Sequence, residues 1–457
     1  MEQPTRIKLA LLSQRARQEP HLVFTSLAHL LNVEFLRECY RSLGKEKACG
    51  VDGRSWQEYG EQLDAHLTDL VTRLQAKRYQ PLPAKRVYIP KNEHEKRPLG
   101  LPAIEDKIVQ KGIARILEAI YAADFCDCSY GFRPGRSCHQ ALKAVDETIM
   151  GKPVHYVIEA DIQGFFDHVS HDWMMQFLQV RVRDSSLLLL VRRFLKAGYM
   201  ESGLWHPTDE GTPQGGNLSP LLANLFLHYV LDLWWERKIK PTVSGTCVLV
   251  RYADDFICMV QYRPDAENLE KLLHERFAKF GLTLHPEKTR TISFGRTERE
   301  NARREGRRPN TFDFLGFTHY AGRSRKGNFL LGRRTSRKKF RKACQEILTW
   351  LKQVRNLRRL SEIWAELAAK LRGHYSYYGV SGNSRMIQRF GYVVIRAVQK
   401  WLTRRSQRRS FTWKRLNDYL KHYPLPRPRI VYRMYQLLPL WETDRRAGCG
   451  RSARPVL

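Results

Sequence analysis

The stretch RYADDFICMV, Arg251 to Val260, sets two adjacent aspartates inside an otherwise apolar run. Carboxylates seldom lie in a buried run unless they are paired or hold a cation. The flanking runs CVLVRY and DFICMV are β-type, which predicts two strands meeting at or near a hairpin turn at Ala253-Asp254-Asp255. Two readings fit that spacing. Turn aspartates commonly bond their own backbone two residues on. Alternatively, they join Asp161, which ends a second apolar run, VHYVIEAD. If the two strands are neighbours, three carboxylates crowd one sheet edge. Like charges that close repel unless something positive sits between them. Hard oxygen donors select Mg²⁺, and two such ions ~3.5–4 Å apart suit attack of a 3′-oxygen with loss of pyrophosphate.

Charge narrows the class of partner. The chain of 457 residues has 79 Lys and Arg against 46 Asp and Glu, a net charge of +33. Such an excess draws a protein to a polyanion. No apolar run approaches the ~18 residues of a membrane span and no signal peptide is evident, so nucleic acid and a cytoplasmic location are expected. The nine cysteines are an odd number scattered through mixed contexts, as in reduced cytosolic proteins. Cys126, Cys128, Cys138 and His139 form the one metal-like group, and their spacing does not match a usual zinc signature.

Length predicts two or three domains. Leu and Phe at helical spacing make the first eighty residues helical, interrupted by GVDG at 50–53. AKRVYIPKNEHEKRPLGLP (84–102) reads as a β-hairpin, and 103–121 as an amphipathic helix. A strand is expected to end at Asp161. A loop containing Gly164 and a helix capped by Ser170 follow it. In GTPQGGNLSPLLANLFLHYVLD (211–232) a Gly/Pro loop enters an apolar helix, with Ser219 as the expected cap and Pro220 in the first turn. Composition shifts after about residue 320: between Ala321 and Leu360 there are fourteen Lys/Arg and one Glu.

Tyr252-Ala253-Asp254-Asp255 resembles the Y-x-D-D box of reverse transcriptases. Alone it would be a weak motif. RPLGLP (97–102), YGFRPGRSCHQAL (130–142), DIQGFFDHV (161–169), TPQGGNLSPLLANLFLHYVLD (212–232), LHPEKT (284–289) and FDFLGF (312–317) accompany it in that family's block order. The set is similar to group II intron reverse transcriptase/maturases. LRGHYSYYGVSGN (371–383) and RRSFTWKRLNDYLKHYPLPRPRI (408–430) extend the likeness into the maturase, or thumb, region.

The resemblance implies an α+β right-hand polymerase, with fingers and an antiparallel palm sheet followed by a helical thumb/maturase domain. The implied parts are a helical N-terminal extension (1–80), fingers and palm (81–320), thumb/maturase (321–420) and a short basic C-terminal segment (421–457). Asp161, Asp254 and Asp255 are the implied Mg²⁺ ligands, Asp161 and Asp254 bridging and Asp255 supporting. Phe166, five residues after Asp161, is the implied steric gate against a ribose 2′-hydroxyl, with Phe165 in the core. Lys91 and Arg97, flanking the fingers turn, are the implied triphosphate pair, one a point charge and the other a planar fork. Gln214 and Gly215 belong to the nucleotide loop, where Asn217 departs from the usual small or apolar residue. Lys288 sits near the leaving phosphate, as general acid or as structural cation. Around GHYSYYG, packing tyrosines and nucleic-acid-contacting arginines are expected.

The implied partners are group II intron RNA, an RNA template with DNA primer, a DNA target site and dNTPs, without a membrane. Oligomeric state is left open. Only Cys449 lies beyond residue 344, so the endonuclease-lacking branch is expected. Three functions remain open: an RNA-directed DNA polymerase that also acts as maturase and copies its intron by target-primed reverse transcription, a binding-only splicing factor, and a domesticated relative in defence or repair.

Overall fold

The computed structural model describes residues 5–90, 96–212, 215–324, 326–405 and 412–434, and the chain divides into two compact units at Gly295/Arg296. Composition changes after 320, whereas the contacts change at 296, so residues 296–320 pack with the C-terminal unit.

The first unit opens with four helices, α1 (Thr5–Gln18), α2 (Val33–Arg41), α3 (Trp56–Glu61) and α4 (Leu63–Gln75). Two of them are started by side-chain caps. Asn32 caps α2 through Phe35 N, and Ser55 with Glu58 forms a reciprocal capping box on α3. Strands β1 (Ala84–Pro90) and β2 (Lys96–Leu101) pair antiparallel, as the alternating pattern requires. Helices α5 (Ile104–Tyr121) and α6 (Cys138–Gly151) precede β3 (Tyr156–Asp161). Then come α7 (His171–Gln179), capped by Ser170, α8 (Ser185–Leu195), and the short strands β4 (Tyr199–Glu201) and β5 (Leu204–His206). Asp184 accepts from Ser186 N and Leu187 N to cap α8, and from Leu27 N and Ala28 N, tying the N-terminal extension to the same unit.

Helix α9 (Ser219–Leu227) corrects one expectation. Its cap position is Leu218, without a side-chain cap bond, and Ser219 is already helical; Pro220 does sit in the first turn. The helix runs on through two π-type stretches, His228–Asp232 and Trp235–Ile239. Strands β6 (Cys247–Tyr252) and β7 (Asp255–Val260), helix α10 (Arg263–Lys279) and β8 (Arg290–Ser293) complete the unit.

Two sheets result. One has the order β2-β1-β4-β5, with β1 and β4 parallel. The other has the order β6-β7-β3-β8 and is antiparallel throughout. Central β7 is apolar from Phe256 to Val260, and all five side chains are buried, so it is covered on both faces. An aromatic cluster of Trp173, Phe177, Phe226, Tyr229 and Phe280 joins α7, α9 and α10 beside this sheet.

The second unit starts with α11 (Arg296–Arg304) and a three-stranded antiparallel sheet, β9 (Thr311–Phe314), β10 (Phe317–Arg323) and β11 (Phe329–Thr335). Helices α12 (Arg337–Val354), α13 (Leu360–Tyr378), α14 (Ser384–Thr403) and α15 (Trp413–His422) follow. Ile347, Leu351, Leu367, Leu371, Val394 and Val398 share their apolar core. In the GHYSYYG segment Tyr375 is buried, His374 stacks on Phe390, and Tyr377 donates to Leu315 O, so these rings pack. The eight described cysteines are free thiols. No described helix is long and apolar enough to cross a membrane.

Candidate active site

Asp161 and Asp255 are register partners across β3 and β7. The two-residue turn between β6 and β7 carries Asp254 beside them. The three carboxylates therefore share one edge of the antiparallel sheet, as the sequence pattern requires if the strands are neighbours. Burial raises the Asp254 carboxyl above the ordinary carboxylate range, and the charge of Asp161 pushes the same way, while Arg97 pulls against it.

Lys288 reaches the same edge. Its Nζ lies 2.5 Å from Asp161 Oδ2. A turn places it there: Lys288 N and Thr289 N donate to His285 O, and His285 N donates to Asp161 O at 2.8 Å. Among the described residues no three His, Cys, Asp or Glu side chains converge as a ready-made metal cage. The donor set nevertheless suits a hard divalent cation. It consists of carboxylate oxygens gathered at one sheet edge, on the register pair Asp161 and Asp255 and on Asp254 in the adjoining turn.

Phe165 and Phe166 differ in burial, although both pack against the core. Phe165 is 2% exposed and packs edge-on against Phe226, whereas Phe166 is half-buried. Gly164, at φ 56°, turns the chain out of β3 to make this possible. The segment leading into PQGG is stitched to the Phe166 loop: Thr212 N donates to Phe166 O at 2.7 Å and Gly211 N to Val169 O at 2.8 Å. A Cβ at Gly211 would lie 2.8 Å from Phe166 O, so glycine is needed for the approach. A cavity of about 500 Å³ beside Phe166 is lined by Arg86, Pro98, Gly100, Asp167, Asp209 and Glu210, among others. Its carboxylates make it a poor seat for a triphosphate.

Arg97 lies on β2, opposite Ile89, and acts electrostatically on Asp254. Lys91 and Gln214 lie outside the described residues. Gly215, at φ 113°, faces β2, where a Cβ would lie 2.5 Å from Gly100 O. Asn217 has a structural reason to depart from a small residue: its Nδ2 donates to Lys107 O, and its backbone N donates to Gln110 Oε1 at 2.9 Å. This anchors the loop on α5.

Arg251 carries no role in the sequence pattern, although a lone cation in an apolar strand is a signal. It is 0% exposed. Nε and Nη2 donate to the two oxygens of Asp232, Nη1 to Asn224 Oδ1 and Ala253 O, and Nη2 also to Ser129 Oγ. Ser129 bridges to Arg251 through the backbone, so YGFRPG lies directly against the Asp-Asp hairpin.

A carboxylate-bearing sheet edge with Arg97 acting on it suits chemistry at a phosphate, and the likeness to known families narrows it. The family model described as reverse transcriptase (RNA-dependent DNA polymerase) matches residues 89–319, half of the chain. The chain belongs to the reverse transcriptase family. Among its relatives is the group II intron-encoded protein LtrA of Lactococcus lactis subsp. cremoris, 37% identical over 239 residues, which are 52% of this chain and 40% of that protein. Protein YkfC of Escherichia coli (strain K12) is 36% identical over 286 residues, 55% of this chain and 74% of that protein. An uncharacterized 91 kDa protein in the cob intron of Schizosaccharomyces pombe is 34% identical over 245 residues, 52% of this chain and 30% of that protein. The chain is thus similar to group II intron-encoded proteins, and it aligns with about two fifths of the length of LtrA. Reverse transcriptase domains are in general dependent on a divalent metal.

Proposed function

We propose that the protein is an RNA-directed DNA polymerase of a group II intron, extending a DNA primer on an RNA template with dNTPs. It would also bind the intron RNA as a maturase and copy it after priming at a DNA target site. The observation that carries the reading is the registration of Asp161 with Asp255, with Asp254 in the adjoining turn. Asp161 and Asp254, supported by Asp255, would hold Mg²⁺. When bound, the cations supply charge neutralisation at the triphosphate and activation of the primer 3′-oxygen.

The protein's own groups do the remaining work. Arg97, with Lys91, binds and orients the triphosphate by charge-assisted hydrogen bonds. Phe166 stands below the sugar and excludes a 2′-hydroxyl, while Phe165 and the Thr212 N–H hold the loop that carries it. Gly215 lets the nucleotide loop approach the fingers strand closely. Lys288 keeps a positive charge against Asp161, near the departing phosphate. The excess of Lys and Arg supplies sequence-independent attraction for RNA.

Primer extension by Asp254→Asn tests the reading. Loss of a ligand at the reacting phosphate is expected to slow extension at least ~10³-fold, about 4 kcal/mol of barrier, with RNA binding little changed. Near-normal extension would end the assignment.

A further inference from the structure

We infer that Arg251 is the positioning residue of the Ala253-Asp254 turn, holding Asp254 where a divalent cation and the reacting phosphate meet it. The inference rests on the polymerase reading above and goes beyond it, to a residue that touches no substrate.

The turn is not self-supporting. Ala253 sits at φ 57°, a left-handed conformation disfavoured for a residue with a Cβ and maintained only when its surroundings over-determine it. Two contacts do so. On one side, Arg251 Nη1 donates 2.9 Å to Ala253 O, the carbonyl of the peptide that carries Asp254 N. On the other, Gly131 lies against the turn so closely that a Cβ there would stand 2.3 Å from Ala253 N. Asn224 links the two supports, accepting from Arg251 Nη1 at 3.1 Å and donating to Gly131 O at 2.6 Å.

The guanidinium is itself held rigid. Asp232, also 0% exposed, accepts from Nε at 2.7 Å and from Nη2 at 2.5 Å, and Ser129 Oγ accepts from Nη2 at 2.8 Å. Every N–H of the fork has a partner, so the group is fully satisfied and cannot rotate without losing bonds. Asp232 closes the π-type stretch after α9, where the widened helix departs from ordinary side-chain spacing. A salt bridge needed for stability alone would be served by Asp232. The further bonds, to Ala253 O and Asn224, aim the same cation at the catalytic turn. A lysine could keep the charge but not this planar fork.

The test compares full-length Arg251→Lys, Ser129→Ala and Asp254→Asn with the unaltered protein. It reads Mn²⁺ binding without nucleic acid by electron paramagnetic resonance, together with melting temperature and single-nucleotide incorporation. Arg251→Lys should bind Mn²⁺ about tenfold more weakly and lose ~100-fold in kcat, with dNTP KM within about threefold, because misplacing a reacting group acts on the rate. Ser129→Ala leaves the Asp232 pair whole, and should fold and move both readouts the same way by about threefold. A folded Arg251→Lys with unaltered Mn²⁺ affinity and kcat overturns the inference. So does an unfolded Arg251→Lys beside a Ser129→Ala that matches the original protein, which would leave Arg251 as a core-stability residue. Unaltered Mn²⁺ binding in Asp254→Asn would instead overturn the polymerase-site reading.

Discussion

Lys288 Nζ and Asp161 Oδ2 stand 2.5 Å apart although 127 residues separate them in sequence. Both side chains remain well exposed, 54% and 40%, so solvent screens the pair and its contribution to stability is at most ~1 kcal/mol. Its importance is electrostatic and local: a cation beside the first carboxylate of the site. Lys288→Met should therefore move the melting midpoint by no more than ~4 °C. It should cost about 100-fold in polymerisation rate, as removal of one preorganised charge-stabilising donor does. Lys288→Arg keeps the charge and should stay within about tenfold of the original rate with an unchanged pH–rate profile. Loss of the alkaline limb together with most of the rate in Lys288→Arg would show instead that Lys288 donates a proton.

Phe166 should set sugar selectivity. Its half-buried ring lines a cavity, whereas Phe165 is packed away against Phe226. Phe166→Ala should raise ribonucleotide incorporation relative to deoxynucleotide by an order of magnitude, roughly 1.4 kcal/mol in relative barriers. Phe165→Ala should cost ~3 kcal/mol of stability without altering selectivity. Single-nucleotide incorporation with matched ribo- and deoxynucleotides decides this, and a shift confined to Phe165→Ala would place the gate elsewhere.

RNA affinity should fall steeply with salt. A chain with net charge +33 neutralises several phosphates on binding, each releasing about one counterion. Filter binding or fluorescence titration across salt concentrations should give a steep negative log–log slope. A slope near zero would mean that the positive charge is not spent on the RNA backbone.

Asp106 predicts a pH dependence of stability. It is buried, accepts from Tyr79 Oη and from Leu82 N, and burial pushes its carboxyl up to about 7. An unfolded chain holds the same group near the ordinary aspartate value, about 3.9. Between those values the folded state binds the proton more tightly, so this contribution is present at low pH and is lost as pH rises through about 7. Melting curves from pH 5 to 8 should show Asp106→Asn losing less stability with rising pH than the unaltered protein. Parallel curves would refute the assignment.

The order of motifs, the hairpin at 84–102, the strand ending at Asp161 and the turn at Ala253-Asp254 were legible in sequence. Each depends on hydrophobic period and turn chemistry within about ten residues. The residue types of the site were legible too, because adjacent carboxylates in an apolar run have few physical explanations. Tertiary structure alone decided that β3 lies beside β7, which brings Asp161 opposite Asp255, and that a turn after α10 delivers Lys288 to Asp161. It alone showed that Asn217 anchors its loop on α5, that Leu218 rather than Ser219 occupies the cap of α9, and that contacts divide the chain at 296 rather than where composition changes. Arg251 is the clearest case. A cation in an apolar strand announces a buried partner, but Asp232, Asn224, Ser129 and Ala253 O converge on it from separate elements. Local pattern records which face of a strand is apolar. Which distant groups meet there is set by packing of the whole sheet and its helices, where every buried donor must find an acceptor.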